Sequence, residues 1–210
     1  MSEITAITPQ TKDKTRCNIF LDGRFYCGMK LETVVKNRLK AGMNVTEAFL
    51  SEIQLESEKA TALDKTLTYI TATQKTEKQI RDYLYKKGYL KSVVEYVIEK
   101  LREYRFVDDK DYAENYAQNA ATRKGKRLIK LELARKGIQK EDVESALETL
   151  ETEDQEEAAK NILGKYMRSK EPTRENLSKG FRYLMSKGFD YDVAKKAIES
   201  FGNIDEEFDE

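Results

Sequence analysis

A five-residue phrase, Leu-x-x-Lys-Gly, occurs three times in this chain, at Leu84 to Gly88, Leu133 to Gly137 and Leu184 to Gly188. The glycines are 49 and 51 residues apart. Apolar residues then fall in step: Tyr89, Ile138 and Phe189 come first, followed by Val94, Val143 and Ala194, then Val97, Ala146 and Ala197. Ile98, Leu147 and Ile198 continue the match, and Leu101, Leu150 and Phe201 close it. A chain that repeats itself at about 50 residues folds as a row of similar units, each too thin to bury its apolar face alone, and it works through an extended surface instead of a single pocket. The glycine itself has a plain structural role. A short turn between crossed helices needs a residue at positive φ, which glycine adopts without a Cβ clash. The phrase is therefore first a packing and turn device.

Composition narrows the function. Hydrophobic residues make up 39% of the chain and charged residues 36%, which suits helical units with large solvated faces. Histidine is absent, which removes the usual general base, the Ser/His and Cys/His nucleophile pairs and any His-ligated metal site. Cys17 and Cys27 are too few for a structural zinc site. Asp108-Asp109-Lys110-Asp111 lacks the glycine and distal glutamate of a calcium loop, and no Gly-rich phosphate loop is present. An enzyme is not expected, and neither is a metal or cofactor. No apolar run is long enough to span a bilayer, and Met1-Ser2-Glu3-Ile4 lacks the start of a secretory signal, so the expectation is a cytoplasmic monomer with no membrane association.

The chain reads as mainly α: a small β head followed by tandem three-helix repeats forming a curved, elongated, solenoid-like rod. The expected division is residues 1–55 for the head, 56–107, 108–151 and 152–204 for the repeats, and 205–210 for an acidic tail. Strands are expected at Ile4 to Thr8, Arg16 to Leu21 and Arg24 to Met29, with Asp22-Gly23 as a two-residue hairpin turn. That turn would place Cys27 opposite Asn18 and Cys17 opposite Gly28, with the thiols on opposite faces and no disulfide. Leu31, Val34, Val35 and Leu39 share one face of a helix stopped at Gly42. Asn44-Val45-Thr46-Glu47 starts a second short helix ending near Ile53, and the first repeat follows with helices near 58–73, 77–87 and 91–104. Thr76-Glu77-Lys78-Gln79 has the form of a capping box, Asp108-Asp109 suits a helix start, and Glu171-Pro172-Thr173 breaks the chain before another helix capped by Thr173.

Charge is unevenly spread. Residues 75–136 carry 17 Lys/Arg against 10 Asp/Glu, whereas residues 137–158 carry one against nine. The strongest surface candidate is Arg123-Lys124-Gly125-Lys126-Arg127, continued by Lys130 and Arg135, a group able to meet phosphates or an acidic protein surface. Arg81, Lys86 and Lys87 occupy the equivalent helix of the first repeat, and Lys179, Arg182 and Lys187 that of the third. Tyrosines among these cations are expected mostly between helices, with their hydroxyls wet.

Phe106-Val107-Asp108-Asp109, Tyr112-Ala113, Tyr116, Arg123, Gly125, Ile129, Glu132-Leu133 and Lys136-Gly137-Ile138 resemble the central signature of the RecX family, bacterial regulators of the RecA recombinase. The resemblance extends over the whole chain and includes an N-terminal extension like residues 1–50. One departure is Gly180-Phe181, where Ile80 and Ile129 stand in the other repeats, which predicts a shifted or loosely packed helix. The resemblance implies a regulator without catalysis that binds the RecA filament on single-stranded DNA, with single-stranded or duplex DNA as a further contact, and lowers its ATPase, strand-exchange and coprotease activities. Two other readings compete: helix-turn-helix units that bind duplex DNA, and a helical adaptor. Glu95, Glu99 and Glu103, with Glu141, Asp142, Glu144 and Glu148, load the would-be recognition helices with charge that phosphates repel.

Overall fold

The structure, a computed structural model, describes residues 1–201. The acidic segment Asp205 to Glu210 lies outside the described residues. The chain opens with β1 (Ser2–Pro9), β2 (Arg16–Leu21) and β3 (Arg24–Lys30), continues through the short helix α1 (Leu31–Lys36) and reaches β4 (Asn44–Val45). The four strands form an antiparallel sheet in the order β3-β2-β1-β4. Asp22 and Gly23 both take positive φ, as a tight hairpin turn of this hand requires.

Three details of the head depart from the sequence expectation. Leu21 pairs with Arg24 and Phe20 with Phe25, but Ile19 then pairs with Cys27, leaving Tyr26 as the extra residue of a bulge. One inserted residue reverses the facing of everything beyond it. Cys17 and Cys27 consequently share the core face, at 1% and 5% exposure, as free thiols. Burial is the main cause pushing the Cys27 thiol up to about 11. Second, α1 buries Val34, and Leu39 beyond it, while Leu31 and Val35 are exposed; Arg38 takes the left-handed stop and Gly42 serves the next turn. Third, no break occurs near Ile53. The helix α2 (Glu47–Thr71) runs unbroken for 25 residues from its cap at Thr46. Ser57 looks like a helix start in sequence, yet it is buried mid-helix, where its hydroxyl accepts the Lys30 N–H at 2.7 Å and ties α2 to the sheet. Arg16 adds a bond to Thr61 at 2.9 Å.

The remaining helices are α3 (Glu77–Lys86), α4 (Lys91–Glu103), α5 (Asp109–Ala121), α6 (Lys126–Arg135), α7 (Lys140–Glu148), α8 (Thr152–Met167), α9 (Arg174–Ser186) and α10 (Tyr191–Glu199). They read as three triplets, with α2 supplying the first helix of the first. In each triplet the first and third helices pack together: α2 with α4, α5 with α7, α8 with α10. Gly88, Gly137 and Gly188 all lie at φ near +85° and close the middle helices. Asp108 caps α5 by accepting the N–H groups of Lys110 and Asp111, and Thr173 caps α9 by accepting that of Asn176. Gly180 does not loosen the third triplet. It is buried, and a Cβ there would come within 2.8 Å of Leu163, which fills the space. What changes is length: α9 has 13 residues where α6 has 10.

The chain divides into two compact units, one of residues Met1–Gln74 with Ile80–Phe106, the other of Lys75–Gln79 with the described residues from Val107. In the first, Ile4, Ile19, Met29 and Leu50 centre the head, and Ile80, Leu84, Val94 and Leu101 are fully buried in the helical part. In the second, Ala113, Ile129, Leu133 and Ala146 form one cluster, and Leu163, Leu184, Phe189 and Ala197 another.

Within the second unit, the start of one middle helix rests on the glycine turn of the next triplet. At the Gly137 turn, the Thr76 hydroxyl donates to the Lys136 carbonyl at 2.8 Å, and the Lys78 ammonium donates to the Arg135 carbonyl at 3.1 Å. At the Gly188 turn, the Gly125 N–H donates to the Lys187 carbonyl at 3.0 Å and the Arg127 N–H to the Gly188 carbonyl at 3.1 Å. Gly125 has an ordinary negative φ, so it is there for proximity and not for a turn: a Cβ on it would lie 2.2 Å from the backbone of Gly188 and Phe189.

Candidate interaction surface

The basic segment at the α5–α6 junction separates into side chains the fold uses and side chains it leaves in solvent. Lys124 belongs to the first group. Its ammonium donates to both carboxylate oxygens of Glu132 at 2.7 Å, and the Tyr116 hydroxyl donates to the same carboxylate at 2.6 Å. The bond to Glu132 holds the Lys124 ammonium above its usual range. Burial pushes the Glu132 carboxyl up, but the bonds from Lys124 and Tyr116 outweigh it and leave that group below its ordinary value. Burial, together with donation to Glu132, raises the Tyr116 phenol. Lys126 is committed as well, donating to the Leu150 carbonyl at 2.7 Å just beyond α7. Gly125 between them is buried against the Gly188 turn, so no ligand approaches through it.

Arg123, Arg127 and Arg135 are exposed, and among the described residues none has an ion-pair partner. Lys130, also exposed, makes a loose 3.4 Å pair with Glu144, of the kind worth well under about 1 kcal/mol. Arg127, Lys130, Leu131 and Ala134 fall at the spacing of one helical stripe, and all four are exposed on α6. Leu131 is 47% exposed. Sequence reasoning passed over it, although its place two residues from both core positions, Ile129 and Leu133, already puts it on the outward face. The result is an apolar side chain set among cations, suited to a protein surface with acidic groups around an apolar contact.

In the first unit, Arg81 makes a two-pronged bond with Glu95 at 2.7 and 2.9 Å and is thereby occupied. Lys86 is exposed and, among the described residues, unpaired. Lys87 lies over the Tyr83 ring at 5.7 Å. Lys187 repeats this over Tyr183, also four residues earlier, at 5.2 Å, whereas Lys136, with Glu132 in that place, lies over Tyr116 of α5 at 5.2 Å. The repeated lysine before each glycine is thus a lid on an aromatic ring. Tyr83 and Tyr183 in turn stack on Tyr69 and Tyr166 between helices. In the third triplet Lys179 pairs with Glu175 at 2.6 Å and Arg182 is exposed. Among the described residues no group of His, Cys, Asp and Glu side chains is placed to hold a metal ion, and no helix is long and apolar enough to cross a membrane.

A β head joined to three tandem three-helix units, with exposed cations on the middle one, defines a tandem helical-repeat protein that presents a surface and not a pocket. The profile of the regulatory protein RecX N-terminal domain matches residues 2–46, and those of the first, second and third RecX three-helix domains match residues 62–101, 108–147 and 153–198. The regulatory protein RecX of Clostridium beijerinckii is 32% identical over 209 residues, covering 98% of each chain. That of Bacillus velezensis is 32% identical over 212 residues, covering 98% of this chain and 81% of the relative. A crystal structure of regulatory protein RecX aligns with a TM-score of 0.70 at 29% identity over 93% of this chain and 98% of the other. RecX from Lactobacillus salivarius aligns at 0.63 and 27% identity over 69% of this chain and 96% of the other. The chain belongs to the RecX family of regulatory proteins.

Proposed function

We propose that this protein docks on the RecA filament assembled on single-stranded DNA and lowers its ATPase, strand-exchange and coprotease activities, in the cytoplasm and without catalysis of its own. The observation that carries the reading is the α6 face, where Arg127, Lys130 and Arg135 surround an exposed Leu131. Isolated phosphates would need only the cations. An exposed leucine among them favours a protein partner, with DNA as an additional contact through Arg123. Repeat units support such docking because several weak, linked contacts raise one another's effective concentration.

The test is the ATPase rate of the cognate RecA on single-stranded DNA during titration with this protein, alongside binding to the DNA alone. Inhibition well below stoichiometric protein, with weak binding to bare DNA, is expected. Lys124 and Lys126 hold the fold, so the discriminating variant reverses Arg123, Arg127 and Arg135 to Glu. It should weaken inhibition about tenfold or more with helicity unchanged. Full inhibition by that variant removes this face from the account, and tight duplex binding with no effect on the ATPase overturns the filament reading.

A further inference from the structure

The joint between triplets has two sides. The acceptor is a Lys-Gly turn, and the donor is the first turn of a middle helix. The acceptors at Gly137 and Gly188 are filled, since an added Cβ would meet Lys78 at 2.6 Å in one and Leu128 at 2.3 Å in the other. Gly88 has the same φ, follows the same lysine and is exposed, and a Cβ on it would meet nothing within 4 Å. It is an acceptor of the same build left empty.

An unused donor exists as well. Thr173 caps α9 as Thr76 caps α3: each hydroxyl oxygen accepts the N–H three residues on at 3.3 Å. The Thr76 hydroxyl also gives its proton to the Lys136 carbonyl, whereas the Thr173 hydroxyl proton has no acceptor among the described residues. The extra length of α9 leaves Pro172 through Glu175 exposed. Charge matches too. Two residues past the cap, Lys78 reaches the carbonyl of Arg135; the corresponding residues of the unused pair are Glu175 on the donor and Lys86 on the acceptor. Among the described residues Glu175 is held by an exposed pair with Lys179 four residues on, which it can exchange at little cost.

We propose that a second copy of this chain fills the Gly88 turn: the α9 start of one copy rests there, the Thr173 hydroxyl donating to the Lys87 carbonyl and Glu175 facing Lys86. Donor and acceptor are different surfaces, so the contact is head-to-tail and not the single self-complementary patch of a symmetric dimer. One joint is small, and the dilute chain is a monomer. This inference does not rest on the filament reading, and its test needs neither RecA nor DNA.

The test is sedimentation equilibrium of the full chain from about 10 μM to about 1 mM, the range in which a small interface populates complexes. The weight-average mass is expected to climb with concentration and to pass the dimer without a plateau. Glu175→Lys and Lys86→Glu should each lower the association constant about fivefold or more. An equimolar mixture of the two should recover association to within about twofold of the wild type, because alternating copies pair every donor with an opposite charge while only half of the acceptors present suit each donor, and this recovery also shows that both variants fold. A mass that stays at the monomer throughout, a plateau at the dimer, or variants that associate as the wild type does would each overturn the proposal.

Discussion

The Gly137 and Gly188 turns have the same backbone conformation and receive their neighbours differently. At Gly137 the incoming helix start makes contact through side chains, the Thr76 hydroxyl and the Lys78 stem and ammonium. At Gly188 it makes contact through its own backbone, made possible because Gly125 has no Cβ. Thr76 also closes a capping box with Gln79, whereas Gly125 has no side chain with which to cap. At the third turn, Gly88, an added Cβ would meet nothing within 4 Å among the described residues. One local phrase thus serves three degrees of closeness, and the residue at the approaching helix start sets the degree.

Alanine at each glycine makes that comparison quantitative. Gly125→Ala should have the largest effect, a loss of about 3 kcal/mol or more in urea unfolding followed by circular dichroism, because its Cβ meets backbone that cannot move aside alone. A loss near that of an ordinary surface alanine would show that the joint opens freely. Gly137→Ala should cost about 2 kcal/mol, combining the left-handed backbone penalty with displacement of the Lys78 stem. Glu132→Gln asks whether the middle triplet is fragile for a reason unrelated to the turns, since it disturbs the Lys124 and Tyr116 bonds without touching the backbone; about 1–2 kcal/mol at neutral pH is expected. Because the folded Glu132 carboxyl titrates below its ordinary value of 4.5, its contribution is complete above that pH and is lost as pH falls through the lowered value. The wild type should therefore lose more stability than the Gln variant on acidification below about pH 4.5, and parallel pH profiles would contradict this. Gly88→Ala should cost least, about 1 kcal/mol from conformation alone; a larger loss would mean that the turn is crowded in solution.

The repeat, the three turn glycines and the caps at Thr76, Asp108 and Thr173 were legible in the sequence, because each rests on chemistry within a few residues. Features decided by distant partners were not. Ser57 resembles a helix start until the Lys30 N–H occupies its hydroxyl. The bulge at Tyr26 moved Cys27 to the core face and leaves no mark in a turn motif. Of the basic segment, Arg123, Arg127 and Arg135 are exposed as expected, but Lys124 finds Glu132 and Lys126 finds the Leu150 carbonyl only once α5, α6 and α7 are assembled. The third triplet's Gly180 read as a weakness and instead makes room for Leu163.

The bulge that turned Cys27 inward has a practical consequence. Both thiols of the chain now sit on the buried face of one small sheet, and the helices beyond it contain none. A thiol-reactive dye therefore acts as a clock for a single event, the parting of that sheet from α2, because labelling requires the sulfur to reach solvent and ionise. Fraying or opening of the helices after α2 would leave the dye silent. The rate of colour development reads the head alone, with no engineered probe.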